Sequence, residues 1–303
     1  MALPAHASVG EKIWRYCYLV FCGLVLLFLI APIIIIMPLS FNAEPYFTFT
    51  QEMITFDPKG YSLRWYDRIL THGMANPDIP RDDAWWSDAW NNGQWIHAAK
   101  NSIIIGIAST ILATALGTLA ALGLSRPEMP YRRFIMALLI SPMIVPLIIT
   151  ATGLFFFYSS IGLAHTYAGI ILAHAMLGIP FVIITVTATL VGFDHSLTNA
   201  AAGLGAYPVT TFRQVILPLI LPGVISGALF AFVTTFDEVV VVLFVASYDQ
   251  QTIPLQMWNG IREQISPTIL AVATILVIFS IFLLTTIELL RRRAENLRGV
   301  SPA

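Results

Sequence analysis

Apolar residues run along this chain in long blocks, separated by shorter polar stretches. A helix needs about 20 apolar residues to cross a hydrocarbon core. Six stretches have that length, roughly 16–40, 101–124, 134–158, 166–190, 220–246 and 267–290. The pattern predicts an all-α integral membrane protein with six transmembrane helices and one membrane domain over residues 1–303. The first block is too long for a signal peptide, and the PLSFNAEP after it offers no small-x-small cleavage site, so it reads as an uncleaved anchor. Pro142 and Pro146 predict a bend in the third helix.

Composition agrees with the blocks. Hydrophobic residues make up 57% and charged residues 11%, where soluble domains carry about 25% charged residues. The net charge of -1 gives no sign of nucleic-acid binding. Cys17 and Cys22 both sit in the first block, without metal-ligand spacing, and read as small lipid-facing or core residues. None of Lys12, Lys59 and Lys100 follows a glycine, so the phosphate-cradling GxxxxGK[ST] loop is absent. No catalytic group, metal site or cofactor is expected on this chain. If ATP and Mg drive it, they sit on a partner.

The basic residues set the expected orientation. With the N-terminus inside, segments 1–15, 125–133, 191–219 and 291–303 face the cytoplasm. They hold Lys12, Arg15, Arg126, Arg132, Arg133, Arg213, Arg291, Arg292, Arg293 and Arg298, most of the sixteen Lys and Arg. Both termini are therefore expected inside. The outer loop 41–100 carries eight acidic residues, Glu44, Glu52, Asp57, Asp67, Asp78, Asp82, Asp83 and Asp88, and many aromatics. It reads either as a soluble loop whose tryptophans rest at the membrane interface, or as a docking surface for an external partner.

The inner segment 191–219 contains FDHSLTNAAAGLGAYP. Ser196 is expected as an N-cap, Leu197 to Leu204 as a short alanine-rich helix, and Gly205 as its left-handed end. Pro208 opens a second short helix. Phe212, Val215 and Ile216 form its apolar face, Arg213 and Gln214 turn to water, and Pro218 and Pro222 stop it before the fifth span. Small residues on the first helix let another surface approach closely. An amphipathic loop lying on the bilayer is the plainer alternative.

This stretch resembles the EAA loop of the membrane permeases of ABC importers, whose pattern is EAA, three residues, G, nine residues, I-x-LP. The register here is Asn199-Ala200-Ala201, then Gly205, then Val215-Ile216-Leu217-Pro218. Asn199 stands for the usual glutamate and Val215 for isoleucine. The resemblance implies the fold of type I importer permeases, with a cytoplasmic coupling helix within 196–218 that sits in a groove of an ATPase dimer and carries its motion into the spans.

The run FAFVTTFDEVVVVLF at 230–244, then TIPLQMWNGIREQISPTILAVATIL at 252–276, resembles the spermidine/putrescine branch of these permeases, as do MPLSFN and SLRWYDRIL nearer the N-terminus. The branch implies a bacterial inner-membrane location among lipid. Its partners would be a second, homologous permease subunit forming a heterodimer, an ABC ATPase dimer and a periplasmic substrate-binding protein. Polyamine is the implied cargo, with opine-like compounds, amino sugars and phosphonates as alternatives.

Asp237 and Glu238 stand in the fifth block, where a carboxylate costs about 2.5–3.5 kcal/mol on insertion scales. On a continuous helix from Pro222, Asp237 would lie about 22 Å up, in the outer half of the bilayer. Helix neighbours point about 100° apart. One carboxylate is therefore expected toward the translocation path and one toward an adjacent helix or the partner subunit. A structural acidic pair is the alternative. His174 reads as a satisfied buried histidine. Trp258 and Tyr248 could stack on a cation or anchor at the interface. A stand-alone secondary transporter would predict inverted repeats and broken helices around a midplane site, and a membrane-embedded enzyme would predict an HExxH-like cluster or several inward acidic residues with metal spacing; the sequence shows none of these.

Overall fold

The computed structural model describes residues 8–126, 128–194, 196–263 and 266–297; Arg298, one of the orientation-setting residues, lies outside them. In chain order the helices are α1 (Val9–Leu39), α2 (Gln51–Ile54), α3 (Arg64–Thr71), α4 (Asp83–Asn92), α5 (Gln94–Leu124), α6 (Arg132–Ile144), α7 (Leu147–Ile161), α8 (Tyr167–Leu190), α9 (Ser196–Gly203), α10 (Pro208–Thr211), α11 (Leu217–Asp237), α12 (Val240–Val245), α13 (Ile253–Glu263) and α14 (Thr268–Leu297). Among the described residues there is no strand. The helices α1, α5, α8 and the continuous run Pro208–Asp237 are long and apolar enough to span a membrane. The pair α6 and α7, bent by 100°, makes a fifth span if counted as one, and the described apolar part of α14 is Thr268–Phe282.

Two compact units divide the chain. One comprises residues 1–72 and 260–303. In it α1 opens on a capping box: the Ser8 N–H donates to Glu11 Oε2 at 2.7 Å, and the Glu11 N–H to Ser8 Oγ at 3.3 Å. That box starts the first helix before position 16, where the apolar block begins. After α1 the chain turns back on Asn42, whose Nδ2 donates to Tyr46 O and Thr48 O, each at 2.9 Å. The Trp65 indole donates to Asn42 O at 2.7 Å, and Ser40 Oγ lies 2.7 Å from Tyr66 OH. The MPLSFN and SLRWYDRIL stretches thus meet each other.

The other unit, residues 73–259, is built on α5, α8 and α11 packed together. Without a hydrophobic drive between helices in lipid, close packing rests on small residues. A Cβ on Gly117 would stand 2.7 Å from Val182 Cβ, and one on Gly227 2.8 Å from Val182 Cα. Gly178 faces Ala231 and Ala113. Ala113, Ala121, Val182, Val186, Ile220 and Ala231 close this core. A second core joins Ala151 and Tyr158 of α7, Ile170, Ala173 and Leu177 of α8, and Val241, Val242 and Val245 of α12.

Three expectations change. The second helix begins at Gln94 rather than 101, which shortens the loop before it. Not all of the outer tryptophans are free for an interface: Trp65, Trp85 and Trp95 are 4%, 1% and 6% exposed, inside local cores, while Trp86 and Trp90 are 53% and 59% exposed. Pro218 and Pro222 do not stop the helix before the fifth span. Phe212–Ile216 is a π-turn in which the Leu217 N–H bonds back to Phe212 O, and the run continues through both prolines. A proline clashes with the carbonyl four residues back, and a wider turn just before it moves that carbonyl aside.

Candidate functional site

The segment 191–219 is a compact elbow. Asp194 starts it, its Oδ1 accepting the Ser196 N–H at 2.9 Å. Ser196 is therefore the first residue of α9 and not a cap outside it. The end of α9 is a Schellman turn. The Ala206 N–H reaches Ala201 O at 3.0 Å and the Gly205 N–H reaches Ala202 O at 2.9 Å. Gly205 takes φ +82 to permit it, a conformation that suits glycine. Pro208 then opens α10. Among the residues singled out for coupling, Asn199 and Ala200 are exposed and Ala201 half-buried on α9. Val215 and Leu217 are half-buried and Pro218 exposed, at the π-turn and the start of α11. The helix α9 packs on α10 and on the π-turn, so both groups share one knot of chain. Around it Leu204, Tyr207 and Val209 are 90%, 80% and 68% exposed, and Arg213 and Gln214 are exposed.

The apolar block expected to form the fifth span, 220–246, is not one helix. Its first part, α11, ends at Asp237, and Glu238 is extended, with φ -76 and ψ 127. The chain then restarts as α12, whose first N–H groups lack intrahelical acceptors. Glu238 supplies them: Oε1 accepts from the Val241 N–H at 2.8 Å and Oε2 from the Val242 N–H at 3.4 Å. His174 Nε2 of α8 stands 3.4 Å from that Oε2. The two adjacent carboxylates part company, Asp237 exposed and Glu238 buried. Asp237 is the last helical residue, so the continuous-helix geometry expected from the sequence does not apply beyond it.

Outside this break, α12 is held at its far end. The His165 N–H donates to Val245 O at 2.9 Å. The following turn is tied to α5 and α8 through the Asp249 carbonyl, which accepts from Asn101 Nδ2 at 2.8 Å and Tyr167 OH at 2.9 Å, with His97 Nε2 at 2.8 Å. Asn101 Nδ2 also donates to Gln251 O at 2.9 Å, and its Oδ1, 2.9 Å from Tyr167 OH, shares that single hydroxyl proton with the Asp249 carbonyl. No local pattern pointed to this clasp; its one sequence signal is a polar Asn101 at the start of an apolar block. Tyr248 lines a neighbouring cavity of about 270 Å³ together with Asn91, Asn92, His97 and Asp249. On α4 nearby, hydrogen bonds from the Asn92 side chain, then from the Asn76 and Ala75 amides, hold the Asp88 carboxyl below its usual range. Trp258 lies on α13, 44% exposed. Among the described residues no group of His, Cys, Asp and Glu could hold a metal ion.

Residues 113–296 match the family described as the binding-protein-dependent transport system inner membrane component. The chain is 31% identical over 276 residues to the spermidine/putrescine transport system permease protein PotC of Haemophilus influenzae, covering 91% of this chain and 96% of that protein. It is 28% identical over 265 residues to PotC of Escherichia coli, covering 88% and 90%. Against the putrescine transport system permease protein PotI of Escherichia coli the identity is 29% over 260 residues, covering 82% and 81%. A chain from the crystal structure of a bacterial ABC transporter involved in the import of the acidic polysaccharide alginate shares the fold, with a TM-score of 0.68 at 16% identity, over 94% of this chain and 99% of that one.

Proposed function

This chain belongs to the family of binding-protein-dependent transport system inner membrane components, and from that premise we propose that it forms half of the translocation path for a small cationic solute, a polyamine such as spermidine or putrescine. It is an integral inner-membrane permease of an ABC importer, and such a permease works with an ATPase and a substrate-binding protein. It has no nucleotide-binding motif of its own. ATP and Mg belong to an ATPase dimer that grips the exposed α9 elbow around Asn199, Ala200, Ala201 and Gly205. Val215, Leu217 and Pro218 pass the motion to α11. A second, homologous permease supplies the other half of the path. Both termini face the cytoplasm, and six spans cross the membrane.

The acidic pair carries the cargo reading. The alginate importer handles an acidic polysaccharide on the same fold, so the fold does not choose the sign of the charge and local residues must. Asp237 ends α11 with an exposed carboxylate in an apolar block, which can replace part of an ammonium's lost hydration without holding it too tightly to leave. Trp258 joins Asp237 on the candidate path, and Glu238, buried at the break, stands behind it. PotC and PotI, both named for polyamine transport, match most of the chain and support the same cargo.

The test is ATP-dependent uptake of labelled spermidine by the reconstituted complex. Gly205→Pro forces φ near -65° where the chain holds +82; it is expected to abolish uptake while the complex still reaches the membrane. Uptake at the wild-type rate would remove the coupling role from this elbow. Opine-like compounds, amino sugars and phosphonates serve as competitors, and a stronger competitor than spermidine would replace the polyamine assignment.

A further inference from the structure

A break inside a span exposes backbone groups that lipid cannot satisfy. Most such breaks use Pro or Gly. The fifth span has neither between Phe236 and Val240; the residues are Phe-Asp-Glu-Val-Val. The rival conformation is simple: one continuous helix, in which Val241 and Val242 would donate to the carbonyls of Asp237 and Glu238 by the ordinary four-residue step. The Glu238 carboxylate takes those two N–H groups instead. For the broken form to win, that carboxylate must be stable in the interior. A buried charge persists when it is paired and fully hydrogen-bonded.

Glu238 is 7% exposed, and His174 is 1% exposed. Their side chains face each other across α8 and the break at 3.4 Å. Among the described residues neither imidazole nitrogen makes an aligned hydrogen bond, so the carboxylate is the partner the ring has. His174 follows Ala173 on α8, and Ala173 and Leu177 share one buried cluster with Val241, Val242 and Val245 of α12.

We propose that His174 is a positioning residue for transport: acting through Glu238, it holds the fifth span broken after Asp237, so that Asp237 alone is presented to the cargo. Glu238 then serves the backbone and the imidazole rather than the ammonium. The inference rests on the reading of Asp237 as part of the cargo path. It adds a residue on another helix and gives the two adjacent carboxylates different tasks.

The geometry can be read without cargo. In the full complex in membranes, with Cys17→Ser and Cys22→Ser, Asp237→Cys is exposed to a charged, water-soluble methanethiosulfonate reagent, and the labelling rate per assembled complex is measured. Adding His174→Ala is expected to slow labelling about tenfold or more, the scale of one lost charge-assisted contact. His174→Gln keeps a donor for the carboxylate and should stay within about threefold of the parent. A merely structural histidine would lower the amount of complex and leave the rate per complex unchanged, and that result would overturn the proposal. In the companion assay, with Asp237 intact, His174→Ala should raise the KM for spermidine about tenfold and His174→Gln should restore it. If labelling slows as expected but Asp237→Asn leaves spermidine uptake unaltered, the transport role fails through the cargo reading and not through the geometry.

Discussion

The third and fifth spans are both broken, and by opposite means. Between α6 and α7 the chain bends by 100° at Val145 and Pro146. Val145 is extended because the residue before a proline is pushed out of the helical region. Pro146 has no N–H to leave unpaired, and no side chain caps the new helix. The residues around this break are open, Ile144 at 75% and Val145 at 40% exposed. Between α11 and α12 the bend carries no proline, its N–H groups are real, and they are met by a buried carboxylate. One break begins in covalent geometry, with the packing of α7 behind it. The other is written into a charge and its partner and depends on both. A transport protein can therefore keep a fixed corner in one span and a corner that point changes can dissolve in another.

The widest gap between the two should appear when the capping group is removed. Glu238→Leu keeps the volume but leaves two buried N–H groups without an acceptor, at about 1–3 kcal/mol per group. The purified complex should lose about 3–5 kcal/mol of stability against thermal unfolding in detergent. A loss under 1 kcal/mol would mean that α12 holds its own start, and the two breaks would then be alike. Next in size is the clasp beyond α12. Asn101→Leu removes donors to Asp249 O and Gln251 O and the acceptor for Tyr167. His97 and Tyr167 still serve Asp249 O, so the cost should be smaller, about 2–3 kcal/mol. Faster hydrogen exchange confined to residues 246–256 is the expected sign. Exchange spread evenly over α12 and α7 would show that the clasp supports the break as well.

The same contrast explains what the sequence could reveal. Long apolar helices follow from block length because a bilayer imposes it, and the glycine elbow follows from a position that only Gly205 fills without strain. The corner at Pro146 could be foreseen because proline acts on its own neighbours. The corner at Glu238 could not, since an Asp-Glu pair in a run of valines has the same local pattern whether the helix continues or stops. The deciding partner, His174, is on another helix. The clasp on Asp249 is hidden for the same reason, its donors lying 82 to 152 residues away in the chain. Pro218 misled in the other direction: its steric rule is sound, but a π-turn one step earlier absorbs it. Of the candidate path, the sequence offered two carboxylates and the fold divides them, which no local periodicity could do.

The smallest effect tests the fixed corner itself. In Pro146→Ala the steric restriction on Val145 disappears, and α6 and α7 could join into one helix. Two things oppose that. The α7 side chains Ala151 and Tyr158 are packed into the core with Val241, Val242 and Val245, and straightening would pull them out. The gain from joining is one or two backbone hydrogen bonds, about 0.5–1.5 kcal/mol each. Lost chain restriction in the unfolded state costs about 0.4–1 kcal/mol, so stability should fall by no more than about 1 kcal/mol. Spin labels at the exposed Leu138 and Phe156, in the background without Cys17 and Cys22, read the bend directly. Their separation should match that of the parent with proline. A lengthening to about 27 Å between the two backbones, the rise of a straight helix over that interval, would show that proline alone makes the corner. Packing would then count for nothing in the third span, while in the fifth, where no proline is available, the carboxylate and the histidine would have to do everything.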